Sequence, residues 1–334
     1  MTRAHSDEVS LVVSIGDPNG IGPEVFFRAI EQIDDPTLAI TLVTPGGVLR
    51  QVIDELGIDE WDLTAESLRL GAITVEVSPI PEVFSRSPGA IDPTAGRIAG
   101  IAIEQSVDRI VKGQADGLVT MPISKESLNL GGYPWPGHTE MLGHLSGQPP
   151  LMILACEKIR VALLSGHVPL HSVPNALSVD EIVEKSHAFY RALKSDFGID
   201  EPQIAQLGLN PHAGDGGMIG REEIEIFRES RSKLRSLGID VTEPFAADAF
   251  FARKLYGQYD GVLACYHDQG LIPMKMLADS DGVNVTAGLP FVRTSPDHGT
   301  AFDIAGKGRA DPSSTVEAIR LAAELVRRRR PTGD

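Results

Sequence analysis

Short apolar runs rich in Val, Ile and Leu alternate along this chain with longer amphipathic stretches, and no other feature limits its fold as strongly. Residues 11–15, 39–43, 117–120, 151–155, 159–164, 204–209 and 261–264 read as buried strands. Between them, 95–112, 179–195 and 221–237 have the length and pattern of crossover helices. Such alternation predicts an α/β fold with mainly parallel sheets, helices covering both faces in α/β/α layers. The last helix is expected to start at Asp311-Pro312, with proline in its first turn, and to end in the arginines of 327–330, whose charges suit a helix C-terminus.

A length of 334 residues favours two domains. The glycine- and proline-rich stretch 130–150 suits a crossing between them. The expected division is 1–130 with about 290–334, and about 131–289. With 30 Lys and Arg against 46 Asp and Glu, the net charge is −16. No basic stripe is present, so nucleic acid and anionic membranes are excluded as expected partners, and an anionic substrate needs a local cationic cluster. No apolar run approaches a membrane span, and residues 1–10 lack the basic and apolar regions of a signal peptide. Cys156 and Cys265, the two cysteines, lie in apolar runs and read as reduced packing residues. A cytoplasmic location is the expectation.

Three histidines share one placement. His167, His212 and His267 close the segments IRVALLSGH, IAQLGLNPH and GVLACYH, each leaving a strand at its carboxyl end. If those strands are parallel, the imidazoles converge on the sheet edge where α/β proteins bind ligands. Three neutral imidazoles suit a catalytic divalent metal with an open position, zinc first and magnesium, cobalt or manganese as alternatives. Nearby residues suit an anion such as phosphate. His138 and Thr139 follow a glycine in PGHTEMLG, and Lys275, Asn284 and Arg293 follow the third histidine. GDPNGIGPE, after the first strand, is not the G-x-G-x-x-G dinucleotide fingerprint, and HAGDGGMIGREE reads as a flexible turn leading to a helix.

GDPNGIGPE, TMPISKESL, GHTE, GLNPHAGDGGMIGREE, YHDQGLIPMK and VNVTAGLPFVRTSPDHGTAFDIAGKGRADPSS together resemble the 4-hydroxythreonine-4-phosphate dehydrogenase family of pyridoxine phosphate synthesis. The resemblance implies a metal on His167, His212 and His267, and substrate contacts from His138, Thr139, Lys275, Asn284 and Arg293. DHGTAFDIAGKGRADP is also similar to the loop by which isocitrate and isopropylmalate dehydrogenase-like enzymes hold their dinucleotide. That similarity implies NAD or NADP on His298, Gly299, Ala301, Asp303 and Asp311. It further implies an isocitrate dehydrogenase-like pair of domains, the first on the cofactor side and the second carrying metal and substrate, with the active site in the cleft. The family resemblance implies a homodimer whose metal lies near the subunit boundary.

The implied reaction is NAD(P)- and metal-dependent oxidation of 4-phosphohydroxy-L-threonine to 2-amino-3-oxo-4-phosphooxybutanoate, which decarboxylates to 3-amino-1-hydroxyacetone 1-phosphate. Lys125 and Asp248 are candidate proton acceptors. The chain departs from the family's common pattern at Gly166, at Ala246 and in MPISKESL. These departures keep open an alternative, a D-threonate or D-erythronate 4-phosphate dehydrogenase. A second alternative, of a different class, is a metal-dependent sugar-phosphate binding protein without turnover.

Overall fold

In the computed structural model, residues 8–57, 67–70 and 73–329 are described. The reading of residues 1–7 as lacking a signal peptide and the place of Arg330 in the terminal arginine run lie outside the described residues. The strands in chain order are β1 (Val9–Ser14), β2 (Leu38–Thr44), β3 (Ser67–Leu70), β4 (Ile73–Pro79), β5 (Gly117–Thr120), β6 (Leu151–Cys156), β7 (Ile159–Leu163), β8 (Ile204–Gln206), β9 (Gly261–Ala264), β10 (Val283–Ala287) and β11 (Val292–Pro296). The α-helices are α1 (Gly22–Ile30), α2 (Gly46–Leu56), α3 (Pro93–Val111), α4 (Lys125–Leu130), α5 (His138–Ser146), α6 (Val179–Ser195), α7 (Arg228–Ser236), α8 (Ala247–Ala252), α9 (His267–Ala278) and α10 (Ser313–Arg329).

The chain separates into two compact units, residues 1–150 with 289–334, and residues 151–288. The stretch 130–150, with helix α5, thus belongs to the first unit. That unit orders its strands β3-β4-β2-β1-β5-β11. Every pairing there is parallel except β3 with β4 at the edge. Strand β1 is buried along its whole length, as a central parallel strand must be when helices cover both faces. Side-chain caps start several of the helices. Asp92 accepts from the backbone N–H groups of Thr94 and Ala95 ahead of α3, with Pro93 in the first turn. Asp311 accepts from Ser313 N at 2.9 Å, so α10 opens at Ser313, just past the expected Pro312.

The second unit orders its strands β10-β6-β7-β9-β8 and mixes directions. β7, β9 and β8 are parallel, whereas β6 pairs antiparallel with both β7 and β10. The reason is local: only Glu157 and Lys158 separate β6 from β7, and a two-residue link can make a hairpin but never a parallel crossover. Its core gathers Leu154, Val161, Leu163, Leu207, Phe250, Val262, Leu271 and Met274. Each such fully buried side chain contributes about 1.5–3 kcal/mol. Helix α6 begins in a capping box, Ser178 with Glu181. No helix among the described residues is long and apolar enough to cross a membrane.

Candidate active site

Because β9 pairs in parallel with both β7 and β8, three neighbouring strands point their carboxyl ends the same way, and each is followed by one of the three histidines. The rings of His167 and His267 stand 5.4 Å apart, centroid to centroid, tilted by 44°. His267 Nδ1 lies 2.7 Å from Asp268 Oδ1. With Nδ1 engaged by a carboxylate, Nε2 is the nitrogen available to a metal.

His212 is exposed and held differently. From His212 through Gly216 the φ angles are 53°, 52°, 82°, 44° and 64°, all positive. A residue with a Cβ loses roughly 1–2 kcal/mol there, so His212, Ala213 and Asp215 keep this conformation only because their surroundings impose it. Glu223 is the restraint. Its buried carboxylate accepts from Asn210 N at 2.8 Å and from Asn210 Nδ2 at 3.0 Å. It also packs so close to Gly214 that a Cβ there would lie 2.7 Å from Oε2. The segment read as a flexible turn is therefore a clamped one. Glu223 went unnoticed in the sequence because GREE resembles any acidic helix start, and in the structure it opens a π-helical turn, Glu223–Phe227.

Of the other candidates in this unit, Lys275 is exposed on α9 and Asn284 is half-buried on β10. Asn284 Oδ1 is buried without a hydrogen-bond partner among the described residues, an acceptor suited to a ligand or water. Asp248 is exposed in the first turn of α8, which packs against the His212 turn. The apolar residues of AADAFF are used in packing, Phe250 being fully buried, and Asp248 stays outside.

In the first unit, His138 and Arg293 come together beyond β5. Arg293, on β11, is 1% exposed and donates to Thr120 Oγ1 at 2.5 Å. Burial lowers its pKa to about 9. His138 stands at the first position of α5. Burial, and next the Arg293 charge, hold its pKa well below the usual histidine value, against a hydrogen bond with the Met121 backbone. The imidazole is accordingly neutral, and its buried Nε2 has no hydrogen-bond partner among the described residues. Thr139 follows, half-buried. Lys125 reaches the same place, its Cε 3.8 Å from where a Cβ on Gly137 would be. A buried guanidinium, a neutral imidazole and a helix N-terminus suit an anion.

The segment after β11 carries His298, Gly299, Ala301, Asp303 and Asp311. Its backbone folds through successive turns, Ile304 N to Ala301 O and Lys307 N to Ile304 O. Ala301 takes a positive φ of 41°. Asp311 Oδ1 is occupied with Ser313, accepting from both its N and Oγ. GDPNGIGPE packs beneath this segment, Ile21 N donating to Thr300 O. Gly16, at φ +74°, permits the approach of Pro122 O, which would lie 2.3 Å from any Cβ. Three of the motifs singled out in the sequence thus meet through their backbones. Arg86, which no motif announces, holds GDPNGIGPE by donating from Nε to Pro18 O at 2.6 Å, and it pairs with Glu55. Asp17, fully buried, has its pKa raised to about 6, chiefly by desolvation.

Among the described residues, no three His, Cys, Asp or Glu side chains form a ready cage for a metal. What the chain offers is a close pair of rings and a third imidazole on the loop of a neighbouring parallel strand. In donor chemistry and placement this set fits a divalent transition metal.

These features define a class: a two-unit α/β protein with imidazole donors at strand ends in one unit and an arginine–histidine pair suited to an anion in the other. The model of the family "Pyridoxal phosphate biosynthetic protein PdxA" matches residues 37–322. The 4-hydroxythreonine-4-phosphate dehydrogenase of Sulfurihydrogenibium sp. is 38% identical over 96% of this chain and 100% of its own length. That of Erythrobacter litoralis is 42% identical over 96% and 97%. A crystal structure of 4-hydroxythreonine-4-phosphate dehydrogenase from Klebsiella pneumoniae, 34% identical, covers 96% of this chain and 100% of that one with a TM-score of 0.84. The chain belongs to the PdxA family.

Proposed function

We propose that the protein oxidises 4-phosphohydroxy-L-threonine with NAD or NADP. The observation that carries this reading is the His138–Arg293 pair, a buried cation beside a neutral imidazole whose Nε2 awaits a partner. A phosphate oxygen meets both, and binding energy from this remote group orients the reacting carbon. Thr139, Lys275 and Asn284 complete the substrate contacts, and His298, Gly299, Ala301, Asp303 and Asp311 hold the dinucleotide. Bound NAD or NADP would accept the hydride from C3, the C3 hydroxyl proton would pass to a base, Asp248 or Lys125, and the β-keto acid formed would then lose carbon dioxide. His167, His212 and His267 would hold a divalent metal, zinc first, which when bound supplies Lewis-acid polarisation of the substrate oxygens.

We also infer a homodimer. Leu170, Met218, Ile272 and Met276 are large apolar residues exposed in the segments that follow the three histidines, and exposed apolar patches beside a site mark interaction surfaces. A second copy covering them would put the metal near the subunit boundary. A cytoplasmic location goes with this reading.

The test is a panel of 4-phosphohydroxy-L-threonine, D-threonate 4-phosphate and D-erythronate 4-phosphate, followed by reduction of the nicotinamide. The highest kcat/KM is expected with the first. Preference for either hydroxy-acid ester would reassign the substrate, and binding without reduction would make the protein a sugar-phosphate binder.

A further inference from the structure

Behind the three histidines, the ends of their strands are joined by a buried polar network that the chemistry above does not use. Gln269, in the first turn of α9, sits at its centre. Its Oε1 accepts from Cys265 N at 2.7 Å, just after β9, and its Nε2 donates to Gly208 O at 2.7 Å, just after β8. One amide therefore spans the two turns that lead to His267 and His212. The third strand joins through Ser165, whose Oγ donates to Cys265 O at 2.6 Å and whose N donates to the same oxygen at 3.1 Å. The thiol of Cys265 donates to Leu207 O at 3.2 Å, and Gln206 Nε2 donates to Leu207 O at 2.7 Å. Ser165, Gln206 and Cys265 are each buried.

A glutamine in the first turn of a helix ordinarily reaches back to cap the helix start. The bond to Cys265 N is of that kind. The bond to Gly208 O is not: it serves no helix end and crosses to another strand. Both bonds run through a planar group of fixed length, so beyond the last ladder bond, Leu207 N to Leu263 O, this side chain and the Cys265 thiol together hold the separation of the β8 and β9 turns.

We propose that Gln269 is a positioning residue that sets the spacing between the turns carrying His212 and His267, and with it the geometry offered to a divalent cation. This rests on the reading that the histidines hold the metal. Groups that orient metal ligands without touching the metal typically change affinity by roughly 10- to 100-fold when removed.

The experiment is a Co2+ titration of the purified, metal-stripped protein, followed by the visible ligand-field band and by competition with a chelator. Gln269→Glu separates the two roles of the residue. Its carboxylate still accepts from Cys265 N and suits a helix N-terminus, but it cannot donate to Gly208 O. The added negative charge alone would strengthen cation binding, so a loss cannot be ascribed to charge. Gln269→Met, close in volume, removes both bonds, and circular dichroism monitors folding of each variant. Affinity for Co2+ is expected to fall about 10- to 100-fold in both variants, with an altered band, while KM for the dinucleotide stays within about twofold. Wild-type affinity and band in either folded variant would overturn the proposal. His212→Ala is the control for the underlying reading. If it too keeps wild-type Co2+ affinity, the metal does not sit on the histidines, and that reading fails whatever the Gln269 variants do.

Discussion

The two units build their candidate sites in opposite ways. The first encloses its candidate anion donors: Arg293 is almost wholly buried, and the half-buried His138 keeps its Nε2 turned inward without a partner among the described residues. The second leaves His212 exposed and spends its order on the backbone behind the rings, through Glu223 and Gln269. On the proposed function, the difference follows from the ligands. A guanidinium recognises phosphate by shape and gains from a low dielectric. A metal on the proposed histidines would instead draw the rings in from turns that the network behind them holds at a set spacing, so a ready cage is not required in its absence.

The sharpest way to break this contrast is Arg293→Ala. If the anion side is built in advance, losing its buried cation should raise KM for the phosphorylated substrate on the order of 100-fold, in line with roughly 2–5 kcal/mol for truncating one partner of a buried charge pair. KM for the dinucleotide should hardly move. Equal effects on both constants in steady-state kinetics would place Arg293 at the cofactor.

Asp17 sharpens the contrast, because it shows what enclosure costs the first unit. Its carboxyl binds a proton more tightly in the folded state, with a pKa of about 6, than at the ordinary value of 3.8. Its favourable contribution is thus complete below about 3.8 and is lost as pH rises through about 6. Asp17→Asn should accordingly melt above the wild type at pH 8, by at most about 3 kcal/mol, with the gap narrowing at pH 5 and vanishing near pH 4. Melting curves with a pH-independent difference would contradict this.

The smallest effect is expected from Glu223→Ala. It leaves Asn210 N without its acceptor, while Asn210 Nδ2 keeps Glu222, and should cost about 1–3 kcal/mol, read as a lower denaturation midpoint. Glu223→Gln, which keeps an acceptor for Asn210 N, should recover part of it. No loss in either variant would mean that the His212 turn holds itself.

Much of this was legible in the chain. The apolar runs foretold β5 and β9 to the residue, and the histidines at their ends became meaningful once β7, β9 and β8 proved parallel neighbours. The antiparallel β6–β7 hairpin was readable in principle, since only Glu157 and Lys158 separate its strands. What escaped notice depends on contacts distant in sequence. Arg86 owes its place to Pro18 and Glu55, and nothing near it signals burial. Glu223 looks like a solvated helix residue until Asn210 folds back on it. The positive φ of Ala213 had no local cue either, because alanine is a residue that normally avoids that region.

That His212 turn winds with the hand opposite to ordinary protein helices, and chirality, together with the lack of space beside Gly214, is what its positions select for. At residue 213 an L-valine or L-isoleucine would be rejected even though space for a methyl group exists, whereas glycine or asparagine would be accepted. A D-alanine introduced there by chemical ligation would occupy its own relaxed well, making this segment one where a mirror-image residue suits the native fold better than the natural one.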